Sequence, residues 1–217
     1  NVDAAESQPA AARRTNALGP GYMAEACHEA GARLIHVSTD YVFDGRAAAP
    51  YVEDAEPNPL SEYGRSKLGG EQAVLGALPS ALVVRTQWVF GAGARSLIPA
   101  MWGRAERGES ARVVNDQGGR ATFVVDLASI IITLAGRSDV CGLLHVANDG
   151  EVTAYELAVA IYAHFGCAHL VTPVSSAEFG ARASRPAYSP LSLERLRALG
   201  VHPRHWREAL SEFLSSA

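Results

Sequence analysis

The sequence predicts an α/β protein whose sheet is mostly parallel, and two observations support this fold class. Short runs of branched apolar residues alternate with helical stretches of about 10–20 residues, which is the pattern of consecutive βαβ units. With 48% hydrophobic and 19% charged residues, the 217-residue chain can also bury a full core. Ligands of such sheets bind at the carboxyl ends of the strands, so the loops after the strands are where a site is expected.

The first half of the chain supplies one strand between two helices. Apolar residues at helical spacing predict a helix over 9–30, and Gly31 follows as a C-terminal cap. A short apolar strand over 33–37 leads into a polar and aromatic loop, 38–45. After a proline-rich loop, helical spacing resumes over 61–77. The loop 38–45 therefore lies at a strand end, where the fold class predicts a site.

The second half repeats the alternation. A buried strand over 81–85 ends in the unusual segment 86–91, which also leaves a strand end. The remaining predicted elements are a helix over 96–107, short strands over 111–114 and 122–125, a helix over 126–136, a strand over 142–146, a helix from Thr153 (as its N-cap) to about 165, and a last helix around 206–214.

Composition and charge exclude several classes of function. A net charge of −4 and a pI near 6.0 disfavour nucleic acid and anionic membranes as partners. No apolar run approaches the ~20 residues of a membrane span. The three cysteines, Cys27, Cys141 and Cys167, are widely spaced and are interpreted as buried thiols of a reducing compartment. We therefore expect a cytoplasmic protein.

Lys67 is the only lysine of a chain that has eighteen arginines, and it follows Tyr63 by four residues. On a helix the two side chains lie side by side. A nearby ammonium favours the phenolate, so we expect the pKa of Tyr63 to be lowered and Tyr63 to act as a proton donor and acceptor. A surface tyrosine beside a solvated lysine is an alternative interpretation from spacing alone.

Together, the loop and the helix resemble a known family. The segment Ser38-Thr-Asp-Tyr-Val-Phe-Asp-Gly45 and the later Tyr63-Gly-Arg-Ser-Lys67 resemble the extended short-chain dehydrogenase/reductase superfamily and, within it, the dTDP-4-dehydrorhamnose reductases. Further matches, in the same order as in that family, are 2–6, 85–91, 116–119, 126–128 and 185–191. The octet 38–45 is the most specific of them.

The resemblance implies a reaction and roles for the residues that match. A reduced nicotinamide, NADPH or NADH, would reduce the C4 ketone of a dTDP-4-dehydro-6-deoxyhexose. Tyr63 would give the proton, Thr39 would tune it, and Lys67 would hold the nicotinamide ribose, with Ser38 also at the cofactor. Thr39 and Asp40 would touch the sugar.

Two further residues are assigned to the substrate by the resemblance. Trp88 would line the sugar-nucleotide site, and Arg185 would either reach a phosphate or form a structural ion pair. Glu71 is expected to be a salt-bridge partner of Lys67 on the helix. The family also implies a homodimer and, in some members, bound magnesium, for which no ligands can be placed on this sequence.

The resemblance also implies how the chain is organised. A Rossmann-like, mostly parallel sheet would comprise residues 1–91 and about 122–150, and a smaller C-terminal substrate domain would comprise 92–121 and 151–217. The family's glycine-rich pyrophosphate loop has no counterpart here. We therefore expect an N-terminal truncation, with roughly 60–75 upstream residues and their strands missing.

Two alternatives to a dTDP-4-dehydrorhamnose reductase stay open. One is a non-catalytic regulatory or binding subunit on the same fold, like the regulatory subunit of methionine adenosyltransferase. Intact Thr39, Tyr63 and Lys67 weigh against it. The other is a related sugar-nucleotide enzyme, such as an epimerase or a 4-ketoreductase of another dTDP-deoxysugar. Gln87 and Ala121 depart from the family pattern and put the identity of the sugar in doubt. Dehydration is disfavoured because Tyr41, not a glutamate, follows Asp40.

Overall fold

The computed structural model of the protein describes residues 2–93 and 97–216, in which helices and strands alternate along most of the chain. Its helices are α1 (Val2–Ser7), α2 (Pro9–Arg13), α3 (Gly19–Glu29), α4 (Glu62–Ala77), α5 (Leu97–Glu106), α6 (Val124–Ala135), α7 (Ala154–His164), α8 (Ser176–Phe179), α9 (Glu194–Ala198) and α10 (Trp206–Ser216). Its strands are β1 (Ile35–Thr39), β2 (Leu82–Thr86), β3 (Val89–Phe90), β4 (Ala111–Val114), β5 (Gly118–Gly119), β6 (Thr122–Phe123), β7 (Gly142–His145), β8 (Val152–Thr153) and β9 (Val171–Val174).

The central sheet is parallel and has the strand order β1–β2–β7. Its register pairs Thr39, the last residue of β1, with Thr86, the last residue of β2. The loops 38–45 and 86–91 therefore leave the same edge of the sheet. The predicted mostly parallel α/β sheet is confirmed.

Apolar clusters cover both faces of the central strand β2, which explains why its first three residues are apolar. All five residues of β2 are buried, and successive side chains point to opposite faces. Val83 packs with Ala24 and Val74 of α3 and α4. Val84 packs on the other face with Leu127 of α6. Helix α4 is thereby fixed across the sheet, with its N-terminus at the edge where the loops leave.

A second core lies beyond the sheet edge and joins the helices of the later part of the chain. Phe90 and Phe123 stack at 5.3 Å between ring centroids, and Phe213 of α10 packs edge-on against both. The short strand pairs are β4–β9 and β3–β6, both parallel, and the antiparallel β5–β8. Leu196 of α9, assigned to the substrate domain, packs instead with the apolar cluster of the sheet. The division into two domains stays a prediction.

Most boundaries of the predicted elements agree with the structure within two or three residues, but the helix predicted over 9–30 is divided into α2, a π-helical turn and α3, and β9 was not predicted. The strand predicted over 122–125 ends at Phe123, and α6 begins at Val124. The Asn148 side chain accepts a hydrogen bond from Phe123 N at 2.7 Å, which ends the strand pairing there. Thr153 is the N-cap of α7, as predicted, and forms a capping box with Glu156. Residue 96, the start of one predicted helix, lies outside the described residues.

The cysteines differ from the prediction of buried thiols. All three are free, but Cys141 is exposed and Cys27 and Cys167 are only half-buried. None of the helices within residues 2–93 and 97–216 combines the length and the hydropathy that crossing a bilayer requires.

Candidate active site

The first part of the site is the turn that follows β1. Thr39 is extended and caps a 3-10 turn over Asp40–Val42, because its Oγ1 accepts a hydrogen bond from Tyr41 N at 3.2 Å. The same hydroxyl donates to Asp40 Oδ1 at 3.2 Å. Thr39 is 6% exposed and is therefore fixed by its own loop. The two hydrogen bonds hold the Thr39 side chain against Asp40 and Tyr41.

Helix α4 brings Tyr63 to this turn. The N-cap Ser61 accepts a hydrogen bond from Gly64 N, so the helix begins at Glu62, one residue before the tyrosine. A Cβ at Gly64 would overlap the carbonyl oxygen of Tyr41, so only glycine permits this approach. The Tyr41 and Tyr63 rings meet edge to face at 5.6 Å. The Thr39 side chain lies near enough to the Tyr63 hydroxyl to oppose the effect of burial on its pKa. The structure thus brings Thr39 and Tyr63 together.

Lys67 lies one helical turn after Tyr63 and faces the exposed edge of β1. Its Nζ donates to the carbonyl oxygen of Val37 at 2.5 Å. Burial lowers the pKa of this ammonium, and the charge of Glu71 opposes that effect. One of its three N–H donors is used, so two remain for another ligand.

The predicted lowering of the Tyr63 pKa is wrong. Burial raises the pKa of Tyr63 above its ordinary value, the hydrogen bond to Thr39 opposes the increase, and the charge of Asp40 adds to it. The Lys67 ammonium, which was expected to favour the phenolate, is bound to Val37 instead. With a raised pKa, Tyr63 is protonated at neutral pH and holds its proton more tightly than an exposed tyrosine.

Asp40 lies behind this pair rather than in an open site. It is 1% exposed, and its Oδ2 accepts a hydrogen bond from the Ser189 hydroxyl at 2.7 Å. Burial raises the pKa of this carboxyl to about 6, while the hydroxyls of Ser189 and Thr39 oppose the shift. These surroundings differ from those expected of a residue that binds the sugar, because both carboxyl oxygens accept hydrogen bonds from hydroxyl groups of the protein.

Ser38, the neighbour of Thr39, points to the opposite face of β1. Its hydroxyl donates to Glu71 Oε1 at 2.5 Å, so this side chain is turned away from the exposed edge of β1. Glu71 also receives Arg85 Nε at 2.9 Å and Arg85 Nη2 at 2.7 Å. Glu71 is therefore the partner of Arg85 and not of Lys67 as predicted. Helical spacing does not indicate Arg85 as the partner of Glu71, because the two residues are 14 positions apart.

A large cavity of about 800 Å³ opens beside this turn. Tyr41, Trp88 and Arg185 line it together with residues of α5, β4 and α8. Arg104 and Arg112 add two more guanidinium groups to its wall. Arg185 forms an ion pair with Asp3 at 2.9 Å, which is the second of the two roles predicted for it. It also lines the cavity. Arginines beside aromatic rings suit a nucleotide diphosphate.

Trp88 adopts an uncommon backbone conformation, with a φ of 44°. Gly119 lies opposite, and a Cβ there would come within 2.9 Å of the Trp88 ring. The neighbouring Gln87 is buried and accepts a hydrogen bond from Leu191 N at 2.9 Å. This bond explains why a longer side chain stands where a small one was expected.

A smaller cavity of about 210 Å³ lies on the other side of α1. Tyr63 lines it with residues of α1, α2 and the π-helical turn Arg14–Leu18. Lys67 lies one helical turn along α4 from Tyr63 and outside the lining of this cavity. Its ammonium and the Tyr63 hydroxyl are groups that hydrogen-bond to hydroxyls such as those of a ribose. Among the described residues, no three His, Cys, Asp or Glu side chains group as a metal site.

The comparisons with known proteins agree with this arrangement. The family described as RmlD substrate binding domain matches residues 1–217. The dTDP-4-dehydrorhamnose reductase of Mycobacterium tuberculosis H37Rv is 45% identical over all of this chain and 73% of its own length. A probable dTDP-4,6-dihydroxy-2-methyloxan-3-one 4-ketoreductase of Streptomyces antibioticus is 44% identical over 97% of this chain and 72% of its own.

Solved structures give the same result. The dTDP-4-dehydrorhamnose reductase of Bacillus anthracis, in complex with NADP, superposes with a TM-score of 0.95 at 36% identity, over 100% of this chain and 77% of its own. The fold class and the resemblance predicted from the sequence are confirmed. The chain belongs to the RmlD substrate-binding-domain family, together with the dTDP-4-dehydrorhamnose reductases.

Proposed function

We propose that this protein reduces the C4 ketone of dTDP-4-dehydrorhamnose to give dTDP-L-rhamnose. The observation that carries the proposal is the position of the Tyr41–Tyr63 contact. Tyr63 lines the smaller cavity and Tyr41 lines the larger one. A proton donor thus stands where a cofactor on one side and a sugar nucleotide on the other would meet.

The chain's own residues have separate tasks in this reaction. The nicotinamide, when bound, supplies the hydride; NADPH is the form that we propose, since the Bacillus anthracis relative carries NADP. Tyr63, held protonated by its buried position, gives the proton to the ketone oxygen. Thr39, fixed by Asp40 and Tyr41 N, keeps a hydroxyl beside that oxygen. Lys67 holds the ribose with its remaining donors.

The larger cavity supplies the recognition of the substrate. Trp88 offers a ring face for the base or the sugar. Arg104, Arg112 and Arg185 provide positive charge for the diphosphate, and Arg185 is oriented for this by its ion pair. The second candidate is a 4-ketoreductase of another dTDP-deoxysugar. It is supported by the Streptomyces antibioticus relative, which is as similar as the rhamnose enzymes.

The test follows NADPH absorbance with dTDP-4-dehydrorhamnose. The chain spans 73% of the length of the Mycobacterium tuberculosis relative. The test therefore uses the 217-residue chain and the complete product of its gene, called the extended protein below. Tyr63→Phe in the extended protein removes only the hydroxyl, so we expect kcat to fall by about 10²-fold or more with dTDP affinity unchanged. Lys67→Arg is expected to fail as well, because a planar guanidinium does not reproduce a point charge.

Three outcomes would contradict the proposal. Turnover by Tyr63→Phe near the wild-type rate would remove the proton donor from the mechanism. Binding of dTDP and NADPH without any oxidation of NADPH would favour the regulatory subunit. Oxidation with a different dTDP-ketosugar, but not with dTDP-4-dehydrorhamnose, would identify the second candidate.

A further inference from the structure

Helix α1 separates the two cavities, and its two acidic residues extend to different walls of the site. Val2 lines the larger cavity, while Ala4 and Ala5 line the smaller one. Asp3 and Glu6 are three residues apart and therefore lie on the same side of the helix. They belong to the sequence match over residues 2–6. The proposed function uses the ion pair of Asp3 with Arg185 but gives Glu6 no role.

Asp3 holds the wall of the larger cavity. Its Oδ1 accepts a hydrogen bond from Ala183 N at 3.0 Å, and its Oδ2 accepts one from Arg185 Nη2 at 2.9 Å. Arg185 Nη1 donates in turn to the Ala183 carbonyl oxygen at 3.1 Å. The hydrogen bond from Arg185 is the main cause of a lowered pKa at Asp3, so the carboxylate is ionised at neutral pH. The backbone and the guanidinium of this segment are thus fixed by one side chain.

Glu6 holds the helix that carries the proton donor. Its Oε1 accepts a hydrogen bond from Glu62 N at 2.8 Å, at the first residue of α4. The first N–H groups of a helix have no partner within the helix, and a carboxylate there also faces the positive end of the helix dipole. Tyr63 is the next residue. The position of its hydroxyl therefore depends on a contact from α1.

We propose that Asp3 and Glu6 are positioning residues, and that α1 acts as a spacer that sets the distance between the substrate wall at Arg185 and the proton donor on α4. This proposal rests on the proposed function. Reaction rates depend steeply on such distances, and a displacement of about 1 Å can cost about 10²-fold. Neither carboxylate takes part in the reaction itself; each acts through Arg185 or Tyr63.

The two ends of the spacer predict opposite kinetic effects in the extended protein. Asp3→Ala leaves Arg185 without its partner, so we expect KM for the sugar nucleotide and Kd for dTDP to rise about tenfold, with kcat within about twofold. Glu6→Ala displaces the start of α4, so we expect kcat to fall about tenfold or more with dTDP affinity retained. Glu6→Gln keeps an oxygen acceptor and is expected to restore most of kcat.

The matched control is Ser7→Ala on the same helix. Its hydroxyl is bonded only to the Ala4 carbonyl oxygen and faces solvent, so the change should move neither kcat nor KM. If Asp3→Ala and Glu6→Ala lowered only the melting temperature, or changed KM and kcat in parallel, α1 would be merely structural and the proposal would be overturned.

Two measurements test the proposal even if turnover is not detected. Calorimetry of dTDP binding tests the Asp3 end without the reaction, and a failure of the proposed reductase would appear separately as absent NADPH oxidation. Hydrogen exchange of the Glu62 amide tests the other end, where Glu6→Ala should speed exchange and Asp3→Ala should not. Unchanged dTDP affinity in Asp3→Ala or unchanged Glu62 exchange in Glu6→Ala would contradict it. Asp3→Asn serves where the alanine variant does not fold.

Discussion

Two buried carboxylates near the end of β1 have opposite surroundings. Glu71 is 2% exposed and receives two N–H groups of Arg85 as well as the Ser38 hydroxyl. Asp40 is 1% exposed, and among the described residues its side-chain oxygens receive hydroxyl groups only, from Ser189 and Thr39. The consecutive residues Ser38 and Thr39 point to opposite faces of β1, so one strand contacts both carboxylates.

The difference shows which of the two belongs to the scaffold and which to the site. A buried carboxylate with a bidentate arginine joins the elements around it, here β1, β2 and α4. The buried Asp40 carboxyl has hydroxyl partners instead, and burial raises its pKa to about 6. The sequence motif groups Thr39 and Asp40, and in the structure Asp40 accepts the Thr39 hydroxyl and holds it.

The largest expected effect comes from breaking the charged pair. Glu71→Gln leaves the Arg85 guanidinium buried, 1% exposed, without its counter-charge. We expect the free energy of unfolding to fall by about 3–5 kcal/mol, measured by urea denaturation. The control is Glu62→Gln in the exposed pair with Arg65, where the loss should stay below about 1 kcal/mol. Equal losses would show that burial does not distinguish the two pairs.

An intermediate effect is expected from Asp40→Asn. Folding raises the pKa of Asp40 from 3.8 to about 6, so the folded state holds this proton more tightly and the wild-type protein loses stability as the pH rises from about 4 to 6. The asparagine variant lacks this loss. Its stability relative to wild type should therefore increase by about 2–3 kcal/mol between pH 4 and 7, measured by urea unfolding at several pH values.

Asp44→Asn is the matched control with the opposite sign. Its pKa is lowered, mainly by the hydrogen bond from Tyr51, so the wild-type protein gains stability from Asp44 as the pH rises. This gain occurs as the pH rises through 3.8, the ordinary value, so the asparagine variant should lose stability relative to wild type there rather than between pH 4 and 7. The same sign in both variants would contradict the assignment for Asp40.

The smallest expected effect comes from Ser189→Ala. It removes one of the two hydroxyls that oppose the effect of burial on Asp40, so we expect a loss of about 1–2 kcal/mol. The pH at which Asp40 titrates should also move upward, seen as a shift in the pH dependence of unfolding. Ser192→Ala, in the same segment but without a contact to Asp40, should leave that pH dependence unchanged.

The fold could be predicted largely from local patterns. The parallel strands followed from apolar runs, because a strand covered on both faces has few polar residues. The start of α4 was within reach because Ser61 is a capping residue. The spacing of Tyr63 and Lys67 by one helical turn was also visible, but it was the family resemblance that indicated roles for them.

The partners of the charged groups could not be predicted in this way. Arg85 and Glu71 are 14 residues apart on different elements, and neither helical nor strand spacing relates them. The pKa of Tyr63 was assigned the wrong direction because the sequence shows a neighbouring charge but not the extent of burial. The roles of Asp3 and Glu6 depend on contacts across the chain, which only the folded arrangement reveals.

The ion pair of Asp3 with Arg185 forms late in the synthesis of the chain, because its two residues are far apart in the sequence. The two residues are separated by 182 positions, and a ribosome adds about 5–20 residues per second, so about 10–40 s pass between their syntheses. A nascent chain in that interval already carries Thr39, Tyr63 and Lys67 but not the segment that completes the larger cavity. Recognition of the substrate therefore begins only after nearly the whole chain has been translated.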